Sequence, residues 1–131
     1  MSTILIVEDN KNLCELVKLR LEQHGFNVFD APDGMQMFKK MRKVKPDLII
    51  LDVMLPKMDG YKLCGLVKNY EPFRNIPIII FTALSGPESK KSAEEMGADG
   101  YITKPFDAKV LINKITELLK AREVQAEQKS Q

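Results

Sequence analysis

The chain has 131 residues, a hydrophobic fraction of 44%, and charged residues that almost cancel to a net charge of +2. That length suits one domain around a single core, and the near-neutral balance argues against a protein built chiefly to hold a polyanion. No run approaches the roughly 18 consecutive apolar residues of a membrane span, and the short apolar start, met at once by two acids and without a basic leader, is not read as a signal peptide.

In chain order, a first strand is predicted at 4–7 (Ile-Leu-Ile-Val), running straight into Glu8 and Asp9. Asn10 is the expected cap of a helix whose stripe is Leu13, Leu16, Val17 and Leu21, and Gly25 is its expected stop. His24 precedes that glycine, where an imidazole can meet the last carbonyls, and is assigned no chemistry. A second strand at 26–29 leads to Asp30, Ala31 and Pro32. The stripe Met37, Phe38, Met41 and Val44 then predicts a helix ended by Pro46. Lys39, Lys40, Arg42, Lys43 and Lys45 share that helix and read as a solvated face rather than a nucleic-acid footprint.

A third strand at 48–51 is continuous in Leu and Ile and is followed by Asp52. Leu63, Leu66, Val67 and Tyr70 mark the third helix, and a fourth strand at 76–81 ends in Thr82. The fourth helix, at 87–96, offers little apolar surface beyond Ala93 and Met96, so it is expected among the less stable parts of the fold. A fifth strand at 101–102 passes through Thr103 to Lys104 and Pro105, and Leu111, Ile115, Leu118 and Leu119 make the last helix. After Lys120 the chain is polar and lacks a stripe, which leaves a frayed helix end, a disordered tail or the start of a linker open. Cys14 and Cys64 lie in separate helices with no metal-binding spacing, and are read as reduced, partly buried thiols.

Five alternations of strand and helix predict an α/β fold with a doubly wound parallel sheet and right-handed crossovers. In such sheets sites form beyond the carboxyl ends of the strands. Here that edge collects Glu8, Asp9, Asp52, Thr82 and Lys104. Taken singly, these residues and the nearby Tyr101 have plain structural readings: Asp9 as a helix cap, Asp52 as the opening of a turn completed by Pro56, Thr82 and Lys104 as polar strand ends, Tyr101 as core. Together those readings require five coincidences on one edge. Two carboxylates 4–5 Å apart repel by roughly 3–4 kcal/mol at an effective dielectric near 20, so three acids must take up protons or a cation. Lys104 supplies one positive charge, and a hard divalent ion such as Mg2+, with oxygen ligands, fits the deficit. With that charge drawn off, a carboxylate can attack phosphorus while the ammonium and Thr82 stabilise the phosphoryl oxygens.

The segments Ile4-Leu-Ile-Val-Glu8-Asp9-Asn10, Leu48-Ile-Ile-Leu-Asp52-Val-Met54-Leu-Pro56-Lys-Met-Asp59-Gly60, Ile78-Ile-Ile-Phe-Thr82-Ala83 and Tyr101-Ile-Thr-Lys104-Pro105-Phe106 occur in order. Through them the chain resembles the response-regulator receiver family, also called CheY-like, from about Thr3 to Leu119. The resemblance implies a five-stranded (βα)5 flavodoxin-like sheet of order 2-1-3-4-5, with a receiver domain at 1–122 and a polar tail or truncated linker at 123–131. It implies Asp52 as phosphoacceptor, and Mg2+ held by Asp9, Asp52 and the Met54 backbone carbonyl, with Glu8 acting through water. Lys104 would pair with the carboxylate and then the phosphoryl group, across a cis Lys104–Pro105 bond. Asp59 and Gly60 would shape the loop after the third strand. Thr82 and Tyr101 would be the switch pair, repositioning the surface of helix 4, strand 5 and helix 5 for a downstream protein, and Met54 and Leu84 would slow water attack.

The implied donor is a sensor histidine kinase or a histidine phosphotransfer protein, and the implied setting cytoplasmic. The protein would catalyse its own phosphorylation and dephosphorylation without turning over an external substrate, as a monomer or a phosphorylation-dependent dimer, with no nucleic acid or membrane bound by this domain alone. A receiver fragment of a longer regulator stays open as an alternative. A Mg2+-dependent aspartyl phosphatase would need a second acid where Met54 stands, and a flavin site a phosphate-cradling loop where Glu8 and Asp9 would repel phosphate.

Overall fold

The computed structural model describes residues 1–55, 58–84 and 86–130, with the backbone alone for 126–130. Its main elements are β1 (Thr3–Val7), α1 (Lys11–Gln23), β2 (Asn27–Ala31), α2 (Gly34–Val44), β3 (Leu48–Leu51), α3 (Gly60–Asn69), β4 (Ile78–Thr82), α4 (Pro87–Glu95), β5 (Gly100–Thr103) and α5 (Ala108–Ser130). Between β3 and α3, Met54–Leu55 pairs antiparallel with Met58–Asp59. Pro56, expected in that turn, and Gln131 lie outside the described residues.

All neighbouring strands of the main sheet are parallel, and their order is 2-1-3-4-5 as the resemblance implied. Side chains alternate between the two faces of each strand. Leu5, Val7, Ile49, Leu51, Ile78 and Ile80 pack with Met37, Met41, Leu63, Cys64, Val67 and Ala93, from α2, α3 and α4. Ile4, Ile6, Leu48, Ile50, Ile79 and Phe81 pack with Cys14, Val17, Leu21, Leu111 and Ile115, from α1 and α5. Both faces are covered, which is why the strand runs are continuously apolar rather than alternating. Cys14 and Cys64 are both buried and free, on opposite faces of the sheet.

The helix ends follow from local chemistry. The Asn10 side chain accepts from the Leu13 N–H at 3.1 Å, and Gly25 takes φ +93° where α1 stops. His24 closes α1 through its backbone N–H on the Leu21 carbonyl at 3.0 Å, while its ring stacks on Phe26. The buried stripes are narrower than the sequence spacing suggested. Leu16 and Leu66 are about half exposed, because Cys14, Val17 and Leu21 in α1, and Leu63, Cys64 and Val67 in α3, already fill the inward phase; Tyr70 is about half exposed because α3 ends at Asn69 and Tyr70, its C-cap, is extended.

The weakly anchored fourth helix is present, and Ala93 is its one buried residue. A buried methyl contributes about 0.8 kcal/mol, against about 1.5–3 kcal/mol for each buried Leu or Val, so α4 is held far less firmly than α3. The polar stretch after Lys120 continues α5 as helix to Ser130. It contains good helix formers with no Gly or Pro to interrupt them, and Arg122 donates to the Asp47 carbonyl at 2.7 Å.

Candidate functional site

Strand register assembles the site. Val7 of β1 stands opposite Leu51 of β3, and the Asp52 N–H donates to the Val7 carbonyl at 3.0 Å. The residues that follow, Glu8 and Asp52, are thereby brought side by side where β1 has β2 on one flank and β3 on the other. On the far side Thr82 pairs with Thr103, and the Lys104 N–H donates to the Thr82 carbonyl at 2.8 Å. This aims Lys104 back toward the acids. The Lys104–Pro105 bond is cis, in line with the resemblance.

Glu8 and Asp52 are buried, Asp9 is exposed, and one carboxylate oxygen from each lies within 4.8 Å of the others. The Lys104 ammonium bridges the two buried acids. It donates to Glu8 Oε1 in a short bond and to Asp52 Oδ2 at 3.0 Å. The second oxygens are also used: Asp52 Oδ1 accepts from the Met54 N–H at 3.0 Å, and Glu8 Oε2 from the Asn10 N–H at 3.1 Å. Phe81 lies beneath Lys104, with its ring centroid 5.3 Å from the ammonium.

Burial raises the Glu8 carboxyl above the usual range, the Lys104 and Asn10 hydrogen bonds oppose that rise, and the Asp52 charge adds to it. Burial alone would lower the Lys104 ammonium, but its hydrogen bonds to Glu8 and Asp52 outweigh this and hold it above an ordinary lysine. Three carboxyl groups face one ammonium in this cluster. Three carboxylate donors without sulfur or imidazole suit a hard divalent cation and not a zinc-type site.

Thr82 is fully buried, and its hydroxyl accepts from the Leu84 N–H at 3.4 Å. Tyr101 is partly buried and donates a short hydrogen bond to the Leu84 carbonyl. Met54 and Leu84, two residues beyond Asp52 and Thr82, are exposed. The loop after β3 is shaped by close backbone contact: the Gly60 N–H donates to the Val53 carbonyl at 3.1 Å, and a Cβ on Gly60 would lie 2.3 Å from Val53 Cα and 2.6 Å from the Asp52 carbonyl oxygen. Asp59 caps α3 by accepting from the Tyr61 N–H at 2.8 Å.

Glu8, Asp9, Asp52 and Lys104 are therefore brought together, while the hydrogen bond of the Thr82 hydroxyl runs to the loop leading to α4. Two features escaped sequence reasoning. The direct Lys104–Glu8 pair depends on register, and the Phe81 ring under Lys104 reads in the sequence as one more apolar residue of a buried strand.

Comparison with known proteins identifies the family and the fold. Residues 4–116 match the family model of the response regulator receiver domain. The chain is 38% identical over 120 residues to the DNA-binding dual master transcriptional regulator RpaA of Synechocystis sp., covering 92% of this chain and 50% of that protein. It is 31% identical over 112 residues to protein PilG of Pseudomonas aeruginosa, covering 86% of this chain and 83% of that protein. Several of the curated relatives it matches are about twice the length of the aligned stretch. Among solved structures, the signal receiver domain of a signal transduction histidine kinase from Syntrophus aciditrophicus superposes with a TM-score of 0.85 at 39% identity, over 92% of each chain. A family match over most of the chain, relatives at this identity and the shared sheet order lead to one conclusion: the chain belongs to the response regulator receiver domain family of two-component signalling.

Proposed function

We propose that this chain accepts a phosphoryl group on Asp52 and uses it to reposition the surface formed by α4, β5 and α5. The observation that carries the reading is the convergence of the Glu8, Asp9 and Asp52 carboxylates with the Lys104 ammonium at the carboxyl edge of the sheet. Asp9, Asp52 and the Met54 backbone carbonyl would hold Mg2+, with Glu8 acting through water. Bound there, the ion would supply positive charge for the equatorial phosphoryl oxygens.

The chain's own groups account for the remaining chemistry. An Asp52 carboxylate oxygen forms the new O–P bond as the P–N bond of a donor phosphohistidine breaks, and the imidazole leaves with the electron pair of that bond. Lys104 already contacts Asp52 and would transfer a hydrogen bond to a phosphoryl oxygen. The Thr82 hydroxyl would leave Leu84 to donate another, and Tyr101 would fill the space vacated. A phosphoryl group biases an equilibrium only through contacts that differ between two states, and α4, with one buried residue, is the element such a bias moves most readily. Met54 and Leu84 would screen the aspartyl phosphate from water.

The donor is a sensor histidine kinase or a histidine phosphotransfer protein, and the setting is cytoplasmic. Turnover would be confined to the protein's own phosphorylation and dephosphorylation. We assign residues 1–122 to the receiver and 123–131 to a tail or linker, with the domain monomeric or dimerising on phosphorylation. The half-length coverage of several relatives favours a second reading, a receiver within a longer regulator, whereas the 83% coverage of PilG favours a receiver acting largely alone.

Incubation with acetyl phosphate and Mg2+ is expected to add one phosphoryl group, seen by intact mass, and Asp52→Asn to abolish it. Labelling of Asp52→Asn at the parental yield would overturn the assignment.

A further inference from the structure

The N-terminal turn of α4 has few attachments. Gly86, at its cap position, offers no side-chain cap, and Ala93 is the helix's one buried residue. Two tyrosine hydroxyls compensate from either side. Tyr101 of β5 donates to the Leu84 carbonyl just before the helix, and Tyr61 at the start of α3 donates to the Ser89 carbonyl inside it at 3.2 Å. The Tyr61–Ser89 bond joins the first turn of α4 to α3, and at the other end of the helix Cys64 Sγ donates to the carbonyl of Met96, its C-cap, at 3.6 Å. The two phenols are neighbours and both reach Ser89: burial raises the Tyr101 pKa, Tyr61 adds to the rise, and a hydrogen bond with Ser89 opposes it.

Tyr61 is also tied to the acceptor loop. It directly follows Gly60, whose Cα faces the backbone of Asp52 and Val53 so closely that a single added carbon would overlap both. Its own N–H is held by Asp59, in the short strand paired with Met54. Close-packed backbone of this kind does not absorb a displacement, so a shift at Asp52 and Val53 carries residue 60, and Tyr61 with it. This route to α4 does not pass through Thr82.

Resting on the phosphoacceptor reading, we infer that Tyr61 is a second switch tyrosine, a positioning residue that couples the Asp52 loop to α4 through the bond from its hydroxyl to the Ser89 carbonyl. The Thr82–Tyr101 pair acts on the loop before the helix, and Tyr61 acts on its first turn.

Tyr61→Phe keeps the packed ring and removes the hydroxyl. The test measures amide hydrogen exchange at 87–95 in the parent, Tyr61→Phe, Thr82→Ala and the double variant, with and without beryllofluoride plus Mg2+ as the phosphoryl mimic. In the unloaded state Tyr61→Phe is expected to exchange roughly three- to tenfold faster in α4, the factor one ordinary hydrogen bond is worth. Beryllofluoride uptake at Asp52 should match the parent, while the loading-dependent change at 87–95 shrinks. Thr82→Ala should keep part of that change, and the double variant should lose it. Faster exchange with an undiminished loading response would make Tyr61 merely structural and overturn the coupling, as would unchanged exchange in both states. Failure of the parent itself to load would instead sink the phosphoacceptor reading, and the unloaded comparison would still decide the tether.

Discussion

At Lys104 one ammonium serves two buried carboxylates and lies over an aromatic ring, so the acids of the site divide into a pair already bridged within the fold and a third, Asp9, left toward solvent. The division predicts how substitutions separate. Asp9→Ala removes an exposed acid without stranding a buried partner, so Mg2+ affinity should fall by at least about 10–100-fold while urea stability changes little. A Mg2+ titration matching the parent would remove Asp9 from the ligand set. The thiols make a second residue-scale case. Burial pushes both Cys14 and Cys64 up to about 11 from an ordinary 9.0. The folded chain holds those protons more tightly than the unfolded chain, so the stability they contribute is complete below pH 9 and is lost as pH rises through about 11. A Cys14→Ala, Cys64→Ala double variant should show a shallower loss of urea stability across that window, and an identical slope would contradict the assignment.

Among the elements, the junction of β3 with α3 illustrates how far sequence reasoning reached. The pair Asp59-Gly60 marked a shaped loop, and Asp59 does cap α3. That residue 60 must be glycine follows from a contact eight residues back along the chain, where any Cβ would meet the Asp52 and Val53 backbone. Gly60→Ala is expected to cost about 1–3 kcal/mol, the usual penalty of overpacking, and, on the proposed role of Asp52, to slow acetyl phosphate labelling, because the atoms displaced are those of Asp52 and Val53. A chevron or urea series run beside the labelling rate checks both, and a parental labelling rate would show that the loop yields without moving Asp52. The low apolar content of α4 was legible residue by residue, and its one buried alanine bears that out. Its tyrosine attachments were not, since Tyr61 and Ser89 are 28 residues apart and only the packing of α3 against α4 brings them together.

Across the whole molecule, α5 links the two ends of the sheet. It starts beside Pro105 at the site edge and runs to Ser130, and on the opposite edge Arg122 donates to the Asp47 carbonyl, while the Asp47 carboxylate accepts from the Thr3 N–H at 2.8 Å. The Arg122–Asp47 ion pair is partly exposed and screened, so Arg122→Ala should cost no more than about 1 kcal/mol globally. Its effect should concentrate locally, as faster amide exchange beyond residue 120, and unchanged exchange there would mean that helix propensity alone holds the extension.

Continuous apolar strands, helical stripes and polar strand ends are local properties of composition and spacing. From them the sequence by itself determined the doubly wound parallel sheet and the edge on which Glu8, Asp9, Asp52, Thr82 and Lys104 fall. Tertiary structure decided what is not local. Register placed Glu8 beside Asp52 and turned Lys104 onto both, helix phase left Leu16 and Leu66 outside the core, the end of α3 at Asn69 left Tyr70 there too, and backbone contact made Gly60 obligatory. These outcomes depend on distances between residues far apart in the chain, and such distances exist only once the sheet has closed and the helices have packed on it.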